Sequence, residues 1–141
     1  MRTLVPLDDL VGLPFQMGAR LPLGYQRRWS GPQPGVDCWG LVMCALERQG
    51  LRVPDPFTAQ VETMAAKDWI VSRLAGWQRA DGPDSGRVVE FRGAMAVPAH
   101  VGLCLDAQRF LHATDKAGVV IGRLDRAPWD SQIIGFYEYV G

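Results

Sequence analysis

The spacing of apolar residues changes character once along the chain. In the first half, Leu41, Val42, Ala45 and Leu46 recur at helical intervals. Asp37 stands in position to cap that helix and Gly50 to end it as the C′ residue. A second helix is predicted to begin near Pro56, with Asp55 as its cap, and to run through "TAQVETMAAKDWIVSRLAG". Val61, Met64, Ala65 and Trp69 fall on or near one face of it. Residues 20–36, with three prolines, read as loop.

After the turn-rich "RADGPDSG" the period shortens. "RVVEF", "HVGLCLD", "RFLHAT", "GVVIGRL" and "IIGFYEYV" are short, apolar, and rich in β-branched or aromatic residues, and turns separate them. Helices first and then a run of strands predict an α+β fold with an antiparallel meander of about five strands. A length of 141 residues fits a single domain, 1–141, with 1–19 as an N-terminal lead-in.

Composition narrows the function. Fifteen basic and fifteen acidic residues cancel, and no arginine or lysine run forms a stripe, so nucleic acid is not an expected partner. No apolar run has the length of a membrane span, so membrane insertion is not expected either. Pro6, Asp8 and Asp9 interrupt the N-terminal apolar stretch where a signal peptide needs continuity. The expectation is synthesis in the cytoplasm without a signal peptide. Three cysteines cannot all pair within the chain, which predicts reduced thiols. No CxxC occurs and the two histidines are twelve residues apart, so neither a metal nor another cofactor is expected.

One cysteine stands out by position. In "GVDCWGLV", Cys38 follows the capping Asp37 and falls in the first helical turn, among free N–H groups at the positive end of the dipole. That effect, at most about 2 kcal/mol, moves a thiol pKa by about one unit. A nucleophile needs a further partner, normally a histidine. Without one, Cys38 is a small buried hydrophobe. Cys44, about 240° around the helix from Cys38, and Cys104, mid-strand, read as core.

Only His100 and His112 can supply a base. If "HVGLCLD" and "RFLHAT" form a hairpin, its register decides whether they meet. A two-residue loop at 107–108 pairs His112 with Leu103 and sends the rings to opposite faces. A three-residue loop at 106–108 pairs His112 with Gly102 and makes the histidines diagonal neighbours on one face. In that case Gly102 leaves room for His112.

"DCWGLV", "HVGLCLD" and "RFLHA", in that order, resemble the NlpC-type cell-wall peptidases, a papain-like cysteine peptidase family. The resemblance covers about residues 20–140 and implies a papain-like fold. It implies Cys38 as nucleophile, His100 as general base and His112 as the residue that orients it. Many members carry a tyrosine about a dozen residues before the cysteine, near the oxyanion. Tyr25 is the counterpart implied here, with Trp29 or Gln26 as other occupants of that place.

The substrate implied is the peptidoglycan stem peptide. Trp39 after the cysteine and the closing "W…IIGFYEY" look most like versions carried by tailed phages and related particles. These imply a virion-associated, tail-tip component with other tail-tip or assembly proteins as partners. Two alternatives remain: a structural tail-tip protein with a latent or gated site, and an amidase or acyl transferase on another substrate.

Overall fold

In the computed structural model, residues 3–56, 71, 74–92 and 100–141 are described. The second predicted helix falls mainly on residues outside them. The helix at Cys38–Arg48 (α1) forms as expected. Its end is built by Gly50, whose φ of +86° suits a residue without Cβ. The Gly50 N–H donates to the Glu47 carbonyl (2.8 Å) and the Leu51 N–H to the Leu46 carbonyl (2.9 Å). These two bonds satisfy carbonyls the helix itself leaves open.

Among the described residues six strands follow, one more than the pattern predicts: β1 (Trp77–Ala80), β2 (Val88–Phe91), β3 (His100–Cys104), β4 (Arg109–Thr114), β5 (Gly118–Arg123) and β6 (Ile133–Tyr139). They form one sheet in the order β1-β6-β2-β3-β4-β5. All its pairings are antiparallel. Only β2 to β5 make a meander; the last strand enters between β1 and β2. The unpredicted strand, "WQRA", carries no apolar alternation. It is held by pairing with β6 and by Trp77, whose ring lies 5.6 Å from Trp39 and 5.4 Å from Tyr139.

The sheet separates two apolar clusters, because alternate residues of a strand face opposite ways. Trp39, Leu41, Val42, Ala45 and Leu46 of α1 pack with Val101 and Leu103 of β3 and with Leu111 and Ala113 of β4. Cys104 and Phe110 belong to the other cluster, with Val89, Phe91 and Leu124, against which Trp129, Ile133 and Phe136 pack. Leu10 and Leu13 of the N-terminal lead-in are fully buried in the helix-side cluster. Backbone bonds between 12–13 and Val119 tie that stretch to β5.

Candidate active site

The nucleophile candidate sits where the sequence puts it. Cys38 is the first residue of α1, and the Asp37 carboxylate caps the helix by accepting from the Gly40 N–H at 2.7 Å. The same carboxylate accepts from the Gly18 N–H (2.9 Å) and from Arg20 Nη1 (2.7 Å). Gly40 is there for space: a Cβ on it would lie 2.5 Å from the Ala19 carbonyl oxygen and 2.9 Å from Val36 Cγ2. The chain entering the helix is therefore pressed tightly against residues 18–20.

The hairpin takes the three-residue loop. Leu103 pairs with Leu111 and Cys104 with Phe110. The Leu105 N–H donates to the Arg109 carbonyl (2.8 Å), leaving 106–108 as the turn. This turn contains no glycine; Asp106 shapes it instead. Its Oδ1 accepts from the backbone N–H groups of Gln108 (2.8 Å) and Arg109 (2.7 Å), a side-chain substitute for a backbone turn. Continued by one residue, the register sets Gly102 across from His112. A Cβ on Gly102 would lie 3.2 Å from His112 Cβ and 2.9 Å from both Phe110 Cδ2 and the Leu111 carbonyl oxygen.

The two histidines consequently meet. His100 Nε2 and His112 Nδ1 are 2.8 Å apart. Trp129 touches both, stacked on His100 (5.5 Å, 27°) and edge-on to His112 (4.9 Å, 86°). Phe91 tilts over His100 and Phe110 over His112. Sequence reasoning did not assign these aromatics to the site; the closing "W…IIGFYEY" was the available signal for Trp129.

Burial sets the charge state. Loss of water holds the His100 imidazole down to about 4, against a small opposing pull from Asp115. It holds His112 down to about 3, and the neighbouring His100 charge adds to that. The Cys38 thiol is pushed up to about 11 by burial, partly countered by the backbone N–H of Val101. At neutral pH the site is thus a thiol and two neutral imidazoles.

The thiol reaches the strand that carries His100 through that Val101 N–H, one residue along. Among the described residues no hydrogen bond joins Cys38 Sγ to either ring. His100 turns Nε2 toward His112, so Nδ1 is the nitrogen available to take a proton. A base at Nδ1 requires the hydrogen on Nε2, donated to His112 Nδ1, and His112 then carries its own hydrogen on Nε2.

Tyr25 is not placed at the thiol. Its carbonyl accepts from Arg48 Nη2 (2.8 Å), and Arg27, Asp9, Cys44 and Arg48 are the charged or titratable groups around its hydroxyl. Arg48 is ten residues from Cys38, about 15 Å of helix rise. The segment against the Cys38 turn is Phe15–Ala19 instead. Phe15 and Val36 form a parallel bridge, the Gln16 N–H donates to the Val36 carbonyl (3.1 Å), and the Asp37 N–H reaches the Ala19 carbonyl (3.4 Å). Residues 20–34 loop out between these paired stretches, so counting back from Cys38 lands in the loop. The aromatic residue on the paired segment is Phe15, which has no hydroxyl. Trp29 is exposed, with the Arg27 guanidinium 4.4 Å over its ring, and Gln26 is exposed as well. Cys44 and Cys104 are buried free thiols, as read from the sequence.

The NlpC/P60 family model matches residues 14–138. Among solved structures, NlpC2 from Trichomonas vaginalis aligns with a TM-score of 0.62 at 18% identity, over 94% of this chain and 44% of that one. A Staphylococcus aureus protein described as similar to a lipoprotein of the NLP/P60 family aligns with a TM-score of 0.60 at 20% identity, over 94% and 38%. The NlpC/p60 domain of the peptidoglycan hydrolase SagA aligns with a TM-score of 0.53 at 18% identity, over 92% and 89%. The chain spans less than half the length of the first two. These likenesses are of fold, a papain-like packing of a helix on an antiparallel sheet.

Proposed function

The chain belongs to the NlpC/P60 family, and from that membership we propose that it is a cysteine endopeptidase acting on amide bonds of peptidoglycan stem peptides. The observation that carries the proposal is the 2.8 Å bond between His100 and His112 on the strands beside the helix that opens with Cys38.

In this reading Cys38 is the nucleophile, and its proton passes to His100 Nδ1 as sulfur attacks the carbonyl carbon. Thiolate and imidazolium form together, so the attraction between them offsets the burial that opposes each alone. The tetrahedral oxyanion is met by the free N–H groups at the start of α1, without an aromatic hydroxyl. His100 then gives the proton to the leaving amine, the carbon–nitrogen bond breaks, and an acyl-enzyme remains. Water, deprotonated by His100, releases the acyl group and restores the thiol. His112 keeps the His100 ring in one orientation throughout.

The finer reading is a virion-associated protein at a tail tip, delivered to the wall by a particle. It is supported by the likeness of "DCWG" and "W…IIGFYEY" to versions carried by tailed phages. The experiment for the activity is incubation of wild type and Cys38→Ala with purified peptidoglycan, reading released fragments by mass spectrometry. Stem-peptide cleavage products from wild type alone support it; identical outputs overturn it. Immunogold labelling of particles tests the tail-tip reading separately.

A further inference from the structure

We propose that Arg20 is a positioning residue for the nucleophile: by neutralising the Asp37 carboxylate it lets the Cys38 thiolate form beside a paired charge rather than a bare anion. This deepens the peptidase reading and rests on it, but its test does not depend on peptidoglycan cleavage.

The geometry is a chain of three charges. Arg20 Nη1 lies 2.7 Å from Asp37 Oδ1, and Arg20 Nε lies 2.7 Å from Asp55 Oδ2. Asp55 is thereby an anchor that holds the guanidinium against Asp37. Asp37 is buried and adjoins the thiol in sequence. All three of its described donors, Gly18 N–H, Gly40 N–H and Arg20, come from the helix turn and the segment pressed on it. With Gly18 and Gly40 offering only neutral N–H groups, Arg20 is the one full positive charge among them.

The charged and titratable groups facing the thiol can be named element by element. From its own cap comes Asp37, which opposes thiolate formation. From the Phe15–Ala19 segment and its continuation comes Arg20, which favours it. From β3 comes the Val101 N–H, which favours it as well. Asp55 pairs with Arg20. A carboxylate cap beside a nucleophilic sulfur is at odds with ionisation, and the arginine resolves that conflict without giving up the cap.

The test is alkylation of Cys38 by iodoacetamide at pH 8, followed by peptide mass spectrometry. A unit charge at this range is expected to change the thiolate fraction, and so the rate, by about tenfold. Arg20→Gln is expected to slow alkylation of Cys38 about tenfold, and Arg20→Lys, which keeps the charge, to stay within about threefold of wild type. Asn is itself a good N-cap, so Arg20→Gln with Asp37→Asn removes both charges and returns the rate toward wild type. A wild-type rate in folded Arg20→Gln, or equal losses in Arg20→Gln and Arg20→Lys, overturns the proposal in favour of a structural ion pair. If Arg20→Gln does not fold, the Arg20→Lys protein decides: a retained rate supports the proposal and a tenfold loss overturns it. Absence of peptidoglycan cleavage by wild type defeats the peptidase reading and leaves this readout intact.

Discussion

His100 Nε2 and His112 Nδ1 share one hydrogen bond of 2.8 Å, and a single indole, Trp129, touches both rings. This fixes which nitrogen of each ring is engaged. Replacing His112 by Gln keeps a hydrogen-bonding group of similar reach but loses the ring that Trp129 and Phe110 hold. Turnover of stem-peptide substrate is expected to fall on the order of 10²-fold, with little change in KM, because the loss falls on base orientation rather than binding. Steady-state kinetics on a synthetic stem peptide reads both parameters.

Stability is expected to fall as the pH drops below the ordinary histidine range. Both folded-state values lie below the unfolded one, so the unfolded chain binds more protons. The stability these neutral rings contribute is present above pH 6.5 and is lost toward pH 4, each ring contributing up to about 1.4 kcal/mol per pH unit. Glu90, fully buried on β2, works against this, since burial raises its carboxyl and favours the protonated folded state. Glu90→Gln therefore steepens the loss between pH 6.5 and 4.5. Urea midpoints at half-unit intervals for both proteins check the slope and its change.

Gly102→Ala tests the register. The added methyl meets the Leu111 carbonyl oxygen and Phe110 at 2.9 Å and His112 Cβ at 3.2 Å. Two of these neighbours are backbone or tightly packed, so the strands must part. A loss of about 1–3 kcal/mol in denaturant unfolding is expected, with a further loss of turnover as the histidine pair separates.

Trp129→Leu removes the face on which His100 rests and admits water to both rings. The His100 titration is expected to move upward from about 4 toward its ordinary value. Histidine ring signals followed by NMR across pH 3–8 read this directly. An unmoved titration shows that Trp129 is not what keeps the pair dry.

Much of this was legible in the chain. Asp37, Leu41, Val42, Ala45, Leu46 and Gly50 mark α1 by cap, period and stop, because those signals are local. The alternation of "HVGLC" and "RFLHAT" marks β3 and β4 for the same reason. The register was left open because Asp106 builds its turn with side-chain bonds rather than with a glycine. β1 was missed because "WQRA" owes its strand to β6, nearly sixty residues away. Tyr25 was misplaced because a looped-out stretch breaks the link between distance along the chain and distance in space. Arg20 escaped notice because its role depends on two aspartates, 17 and 35 residues away in sequence.

The sheet itself has a consequence for how this protein tolerates change. Cys38 packs with the cluster under α1, whereas His100 and His112 pack with Phe91, Phe110 and Trp129 beyond it. Strand β3 is the mount common to both, presenting Val101 to one side and His100 to the other. Substitutions in the two clusters share few neighbours, so their effects on unfolding are expected to add. Their effects on turnover are not, since each moves strand β3, which carries His100 and whose Val101 N–H meets the Cys38 thiol. A pair of mild core variants, one from each cluster, is thus tolerated by the fold and compounded in the chemistry.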